Sequence, residues 1–446
     1  MRTRWPVLLA IASTALLTLL SIGLRAPCLH GDVTLPLATG TGCYGDLDAM
    51  WSARGLSDHL FPYLTTLPAT PGSPATIEYP VLLGTLMWLV SLPAHSYAGF
   101  LVASSIVMGA CAIGITLILY SSVGHRAWLW AASPALVLYL SYNYDAAPAL
   151  CTVAALALLK GRNPVQLSTR RLVWAATLLA VGGGLKLYPL LLLGPVCLWL
   201  LRGSPGEGQT PRATRITRAV LAGVVGGGGF AVINLPFAIA NFSGWLEPFR
   251  FQAARAIDSS TMSIWYLVGQ HVRLLSSGRR LMALATVATL VGIVAVMVAG
   301  WLQSRMKAYP LLGACLGLVT AYVLLNKVFS PQYIVWLLPL MLLYGVGVRW
   351  TLAYVLLDPV LYWSWFLAIF GGAVGNAAMA SFWSRIQTAA VLVRFVLVGA
   401  IGVLAVLTGD PRSRAARWLG RRPGVPIEPE VERAERVQAG NGSGRD

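Results

Sequence analysis

Charge is what this 446-residue sequence has least of. Asp, Glu, Lys and Arg together make up 11% of it, and only four residues are lysines. Soluble domains carry about 25% charged residues, so the composition excludes a cytosolic enzyme. The charge that is present is unbalanced, with 33 Lys and Arg against 16 Asp and Glu. In a chain with mean hydropathy +0.69, this surplus indicates basic cytoplasmic loops between membrane spans rather than nucleic-acid binding.

Long apolar runs predict an all-α, multi-pass protein of the plasma membrane. A helix needs about 20 apolar residues to cross the hydrocarbon core. The runs that approach this length are 5–24, 97–120, 126–142, 144–160, 172–186, 187–202, 219–240, 281–302, 309–325, 334–348, 350–370 and 386–408. With the basic clusters between them held inside, twelve spans result and both termini are cytoplasmic. Residues 1–408 then form one transmembrane domain, and the polar residues 409–446 form a disordered cytoplasmic tail.

One apolar run does not fit this pattern of crossings. Tyr79–Leu92 is about 14 residues long, and a crossing there would move Arg126 and the basic cluster of 160–171 to the outside. We therefore expect a juxtamembrane or re-entrant helix on the outer side. The alternative is a short crossing with altered topology nearby.

The longest polar segment is the first outer loop, residues 25–96. Long ordered loops on a rigid scaffold usually carry function. Cys28 and Cys43 are the only cysteines outside predicted helices, and they lie 15 residues apart in the oxidising compartment. We predict a disulfide between them. No Cys and His spacing in the chain indicates a zinc site.

An acidic pair, Asp46-x-Asp48, follows within the same loop. Two carboxylates near a membrane surface are suited to act as a general base, as metal ligands, or as both. The alternative is structural, because Asp in the first turn of a helix interacts favourably with the helix dipole.

Basic residues on the outer side are exceptions to the positive-inside rule. Lys186 interrupts an apolar run, Arg255 lies in loop 241–280, and Lys327 precedes Gln332 and Tyr333 at a helix entrance. An anionic lipid phosphate bound at the outer surface would explain them. The alternatives are contact with headgroups without chemistry and, for Lys186, a side chain that reaches to the interface.

Two charged residues interrupt the last predicted spans. Asp358 and Arg394 lie on spans that are adjacent and antiparallel in the predicted topology. We expect them to form a structural ion pair across the bundle. A proton or ion path is the alternative.

Several short strings, taken in order, resemble actinobacterial membrane proteins of glycosyltransferase family 87. They are GCYGDLD at 42–48, ARGL at 53–56, FPY at 61–63, IEYPV at 77–81, LKLYP at 185–189, SIWY at 263–266 and KVFSPQY at 327–333. The resemblance covers roughly residues 1–408. Gly45 stands where the family usually has serine, and Ile264 where it usually has leucine.

The resemblance implies a GT-C fold, a bundle of about 12 transmembrane helices with juxtamembrane helices in a large first outer loop and an extracytoplasmic active site. It also implies a polyprenyl-monophosphate sugar donor, commonly of mannose, and a cell-envelope glycan or glycolipid acceptor. The product would be an α-linkage formed by inversion, and no divalent metal would be obligatory. Asp46 is then the base and Asp48 its assistant. The residues that would hold the donor phosphate are Lys186, Arg255, Lys327, Gln332 and Tyr333. The residues that would support the site are Arg54, Glu78, Tyr79 and Trp265.

Two other functions compete with this one. A transporter or flippase for a lipid-linked or polar solute would place its polar residues at the midplane. Here most of them lie at the outer side, which favours the enzyme. A non-catalytic lipid-binding or assembly partner of envelope enzymes would keep its function in an Asp46→Asn variant.

Overall fold

The protein is an assembly of helices joined by turns. The computed structural model describes residues 5–29, 33–65, 67, 74–162, 164, 167–202, 211–272, 277–305 and 309–408, and these include no β-strand. The predicted tail, 409–446, lies outside them. In chain order the helices are α1 Trp5–Arg25, α2 Leu35–Gly40, α3 Asp46–Ala53, α4 Val81–Ser91, α5 Tyr97–Val123, α6 Trp128–Ala131, α7 Pro134–Tyr139, α8 Ala146–Leu159, α9 Thr169–Leu185, α10 Tyr188–Leu191, α11 Leu193–Arg202, α12 Arg212–Gly223, α13 Gly229–Ala240, α14 Phe242–Ala254, α15 Ile264–His271, α16 Gly278–Gln303, α17 Leu311–Leu325, α18 Ile334–Tyr344, α19 Val348–Ala373 and α20 Ala377–Leu407.

Six helical segments are long and apolar enough to cross a membrane among the described residues. They are Trp5–Cys28, Tyr97–Ala131, Arg212–Ala240, Gly278–Gln303, Val348–Ala373 and Ala377–Leu407. Each coincides with one of the twelve predicted spans. The chain is therefore a multi-pass α-helical membrane protein, but the structure does not support the count of about twelve.

The other six predicted spans are shorter or broken. The run 126–142 is interrupted between α6 and α7, where Ser133 caps the helix that begins at Pro134. Proline lacks the backbone donor that a continuous helix needs at that point. The run 187–202 is likewise divided between α10 and α11 at Leu192. The hydropathy of an apolar run does not reveal such breaks, so these two runs were predicted as continuous spans.

The outer surface of the bundle is apolar. On α16, Val287, Leu290, Val291 and Val294 are between 56% and 61% exposed. Soluble proteins rarely expose a continuous apolar stripe of this kind. The stripe is the surface expected of a helix that faces lipid.

The centre of the bundle is α18, in which every residue is buried. A helix that is apolar on all sides belongs inside a protein or a membrane. Its first turn follows a 3₁₀ turn at Pro331–Tyr333. This arrangement fixes Gln332, Tyr333 and Trp336 at the start of a rigid element.

The first outer loop is fastened to the bundle at its start. Cys28 and Cys43 are joined by a disulfide, with their Cα atoms 5.6 Å apart. Arg25, fully buried, donates hydrogen bonds to the carbonyls of Gly42 (2.6 Å) and Tyr44 (2.8 Å) and to the Tyr362 hydroxyl (2.8 Å). These contacts hold the segment that leads into Asp46.

The apolar run Tyr79–Leu92 contains α4, which has 11 residues. At 1.5 Å per residue it is about 16 Å long, roughly half of the hydrocarbon thickness. This length agrees with a helix that does not cross. On which side of the membrane it lies stays a prediction.

Candidate active site

One cavity of about 600 Å³ lies where the first long loop and the segments 248–262 and 326–333 meet α18. Most of the predicted site residues line it, although they are far apart in the sequence. These are Asp46, Glu78, Tyr79, Lys186, Arg255, Lys327, Gln332 and Tyr333. Asp48, Arg54 and Trp265 do not line it.

Asp46 is the first residue of α3, and Gly45 before it is extended. The Asn143 side-chain nitrogen donates to the Asp46 carboxylate at 2.7 Å and also to the Tyr79 hydroxyl at 2.7 Å. Burial raises the pKa of the Asp46 carboxyl to about 6, while the Asn143 hydrogen bond and the charges of Lys186 and Arg255 act in the opposite direction. A carboxyl with a pKa near the operating pH is suited to take up a proton.

Asp48 and Arg54 lie close to the site but outside the cavity. Burial raises the pKa of the Asp48 carboxyl. Arg54 forms an ion pair of 2.7 Å with Glu78, whose own side chain faces the cavity. Arg54 therefore orients a residue of the cavity wall.

Lys186 is not a free cation in the cavity wall. Its ammonium lies 2.5 Å from the Asp145 carboxylate, and both residues are buried. The same Asp145 oxygen accepts a hydrogen bond of 2.7 Å from the Trp336 indole. The Asp145 carboxylate thus neutralises part of the Lys186 charge, which weakens the attraction of Lys186 for a donor phosphate.

Lys327 and Arg255 differ from Lys186 in their partners. The Lys327 ammonium donates to the carbonyls of Ala253 and Arg255, each at 2.9 Å, and an ammonium has a third donor. Burial, and then the Arg255 charge, lower the pKa of Lys327. The Arg255 guanidinium makes no hydrogen bond or ion pair with the described residues. It is therefore the cation most available to an anion in this cavity.

Aromatic rings cover one wall. Trp336 is stacked between Tyr333, with ring centroids 4.0 Å apart, and Tyr188, at 4.3 Å. Beside them Gln332 is 7% exposed, and its side-chain oxygen has no hydrogen-bond partner in the described part of the chain. A flat aromatic wall next to an unsatisfied acceptor suits a ligand that has both a ring and hydroxyl groups.

Trp265 acts outside the cavity. Its indole donates to the carbonyl of Leu325 at 2.8 Å, which joins α15 to the end of α17. Leu325 is followed directly in the chain by Asn326 and Lys327, so the bond holds the start of the segment that carries Lys327. Trp265 thus supports the site by holding α15 against α17 and does not face the cavity.

Asp358 and Arg394 do not form the expected ion pair. No contact of 4.0 Å or less joins their charged atoms in the part of the chain that the structure describes. The Arg394 guanidinium instead donates to the carbonyls of Met262 and Phe329. The sequence places the two residues on neighbouring helices, but which partners the guanidinium meets depends on how the loops that carry Met262 and Phe329 fold over α20.

The sequence patterns did not identify three residues that hold the site together, namely Asn143, Asp145 and Arg25. Asn143 and Asp145 lie in the short string SYNYD at 141–145, between two apolar runs. Polar residues in such a junction on the outer side were the available signal. Nothing in the local pattern of Arg25 distinguishes it from a residue that simply ends a span.

The fold and this cavity define a class, the multi-pass α-helical membrane proteins with a buried cavity lined by both acidic and basic side chains. The family model described as Mannosyltransferase (PIG-M) matches residues 142–370, just over half of the chain, and the chain belongs to that family. It is therefore a membrane mannosyltransferase of the GT-C type, which uses a sugar donor and a glycan acceptor. No curated protein matches the chain. The matched region includes Asn143, Asp145 and all of the predicted phosphate-binding residues, whereas Asp46 and Asp48 precede it.

Family membership bears on the other two functions. A mannosyltransferase family favours the enzyme over a transporter and over a non-catalytic partner. The narrower resemblance to glycosyltransferase family 87 stays a prediction.

Proposed function

We propose that this protein transfers mannose from a polyprenyl-monophosphate donor to a cell-envelope glycan or glycolipid at the outer face of the plasma membrane. One observation carries the proposal. A carboxylate with a raised pKa, Asp46, lines the same cavity as the cations Lys186, Arg255 and Lys327. A base and an anion site in one cavity are what transfer from a phosphate leaving group requires.

The donor phosphate is assigned to Arg255 and Lys327. Arg255 offers a planar fork of donors that suits a phosphate, and Lys327 supplies a point charge beside it. Lys186, paired with Asp145, is assigned a smaller part in phosphate binding. Its ammonium lies 5.2 Å from the centre of the Tyr79 ring and 5.4 Å from that of Trp336, so it helps to fix the shape of the wall.

The sugar ring is assigned to the aromatic wall. Tyr333 lines the cavity at one end of the ring stack, and the Gln332 side-chain oxygen is positioned to accept a hydrogen bond from a sugar hydroxyl. Buried acceptors that lack a partner favour a ligand that supplies a donor.

The reaction is a displacement at the anomeric carbon. Asp46 removes the proton from the acceptor hydroxyl as the oxygen forms its bond to that carbon. The bond from the carbon to the phosphate oxygen breaks, and the polyprenyl phosphate leaves with the electron pair. Arg255 and Lys327 stabilise the charge on the leaving phosphate, so that a general acid is not required. Attack from the opposite side of a β-linked donor yields an α-linked product.

We also propose an orientation of the chain in the membrane and a reaction that does not depend on a metal ion. We place both termini in the cytoplasm and the cavity outside, because the basic clusters between spans then lie on the inner side. We also expect no obligatory divalent metal, because two protein cations already face the leaving phosphate.

The test uses the full-length protein in nanodiscs with radiolabelled polyprenyl-phosphate-mannose and an extract of envelope lipids and glycans. We expect a labelled acceptor from the wild type and none from Asp46→Asn at the same level of folded protein. Label that persists when EDTA is present supports the metal-independent reaction. Turnover by Asp46→Asn at the wild-type rate would exclude Asp46 as the base, and absence of any labelled acceptor would overturn the donor assignment.

A further inference from the structure

A fully buried arginine lies in the last long helix, α20. Arg394 is 0% exposed, and among the described residues no carboxylate lies within 4.0 Å of its guanidinium. A charged side chain inside a membrane span is expensive and is kept where it serves a function. Arg394 does not line the cavity, so direct contact with a substrate does not explain it.

The partners of Arg394 are two outer loops. One of its terminal nitrogens donates to the Met262 carbonyl at 2.7 Å and to the Phe329 carbonyl at 2.6 Å. The guanidinium carbon also lies 3.8 Å from the centre of the Phe329 ring. Met262 adopts a left-handed backbone with φ of +43°, a conformation that a non-glycine residue keeps only when its surroundings hold it.

The same two loops are joined to each other. The Phe329 amide donates to the Thr261 carbonyl at 2.9 Å, and the Lys327 ammonium donates to the Arg255 carbonyl at 2.9 Å. One loop, 255–263, carries Arg255, and the other, 326–333, carries Lys327 and Gln332. The relative position of the proposed phosphate ligands therefore depends on how these loops are fastened together.

We propose that Arg394 is a positioning residue for the donor-phosphate site, which it sets by fastening the two loops from the bundle interior. The inference rests on the proposed function for its effect on the donor, but its structural part can be measured without any substrate. Arginine suits this task because one terminal nitrogen carries two N–H donors, one for each carbonyl, and the guanidinium remains charged when it is buried.

The experiment compares Arg394→Met and Arg394→Lys with wild type in nanodiscs. Arg385→Met is the matched control, because Arg385 lies on the same helix and is exposed. Hydrogen exchange is followed in peptides that cover 259–263 and 326–333, and donor KM and kcat are measured in parallel. Thermal unfolding of each variant reports whether it is folded.

In Arg394→Met we expect exchange in both peptides to rise by about tenfold, with peptides from α5 and α18 unchanged. The donor KM should rise about tenfold, as for loss of a charged hydrogen bond, while kcat changes by about twofold or less. Arg394→Lys should restore part of both effects, and Arg385→Met should show neither. If Arg394→Met does not fold, the same comparison is made with Arg394→Lys, which keeps the charge and one carbonyl contact.

Unchanged exchange in the two peptides would overturn the inference. Faster exchange with an unchanged donor KM would also overturn it, since loosening the two loops would then have no effect on donor binding. If exchange rises in Arg394→Met but the wild type never uses a mannosyl donor, the result counts against the proposed function instead, so the two failures are distinguishable.

Discussion

Asn143 donates a hydrogen bond of 2.7 Å to the Asp46 carboxylate, although the two residues are 97 positions apart. The bond favours the ionised form of Asp46 and opposes the effect of burial, which raises its pKa to about 6. If Asp46 is the base, wild-type kcat/KM should fall as the pH drops through about 6, because the protonated carboxyl cannot accept the acceptor proton.

Replacement of Asn143 by alanine should move this acid limb to higher pH. Loss of a hydrogen bond to a charged group removes about 1.5 kcal/mol, which corresponds to about one pH unit. Activity near pH 6.5 should therefore drop and recover at higher pH. A pH profile of kcat/KM in the two proteins measures the shift. An acid limb at the same pH in both would show that Asn143 does not tune the base.

The two acidic residues of the first loop should differ in their importance. Asp46 lines the cavity and Asp48 does not. Loss of a general base reduces the rate by about 10²–10⁴-fold, and we expect this for Asp46→Asn. Asp48→Asn should reduce kcat by about tenfold or less. Single-turnover rates at saturating donor separate the two, and equal losses would contradict the assignment of a single base.

Arg255 should contribute more to donor affinity than the other arginine of its region. Arg255→Gln should raise the donor KM about tenfold, because a charged partner of the phosphate is lost. Arg250→Gln is the matched control, since Arg250 is exposed on the neighbouring helix α14 and, among the described residues, donates only to the Ser243 hydroxyl. Initial rates across a donor series give both values, and equal effects would exclude Arg255 as a specific ligand.

The buried pair of Lys186 and Asp145 should be revealed by its effect on stability. Asp145→Asn leaves a buried ammonium without its counter-ion, and such a change costs about 3–5 kcal/mol. The double variant Asp145→Asn/Lys186→Gln should regain most of this loss, because no unpaired charge remains. Thermal unfolding in nanodiscs compares Asp145→Asn, Lys186→Gln and the double variant with wild type. Additive losses would show that the two side chains are not coupled.

The orientation of the chain predicts which introduced cysteines are accessible from outside. Ala256 is exposed in the loop that carries Arg255, and Thr169 is exposed at the opposite end of α9 from Lys186. In intact cells a membrane-impermeant maleimide should label Ala256→Cys, and should label Thr169→Cys only after permeabilisation. The reverse pattern would place the cavity on the cytoplasmic side.

Much of the outline of this protein follows from the sequence. Low charge and long apolar runs predicted the membrane class, and six of the predicted spans coincide with long helices. The acidic pair and the predicted cations include four of the five charged residues that line the cavity, namely Asp46, Lys186, Arg255 and Lys327. The other six predicted spans correspond to shorter helices or to runs that are broken between α6 and α7 and between α10 and α11, because the hydropathy of a run measures composition and does not detect a turn within it.

The sequence by itself determined the membrane environment, the fold class and the set of charged residues available to the site, because these depend on composition and on local pattern. Only the tertiary structure decided how those charges are used. In the folded protein Lys186 forms an ion pair with Asp145, and Asn143 donates a hydrogen bond to Asp46. Arg394 donates to loop carbonyls and does not pair with Asp358. Each of these contacts joins residues far apart in the chain. Burial makes the choice of partner decisive, since a charge removed from water must be matched by whichever dipole or charge the fold brings to it.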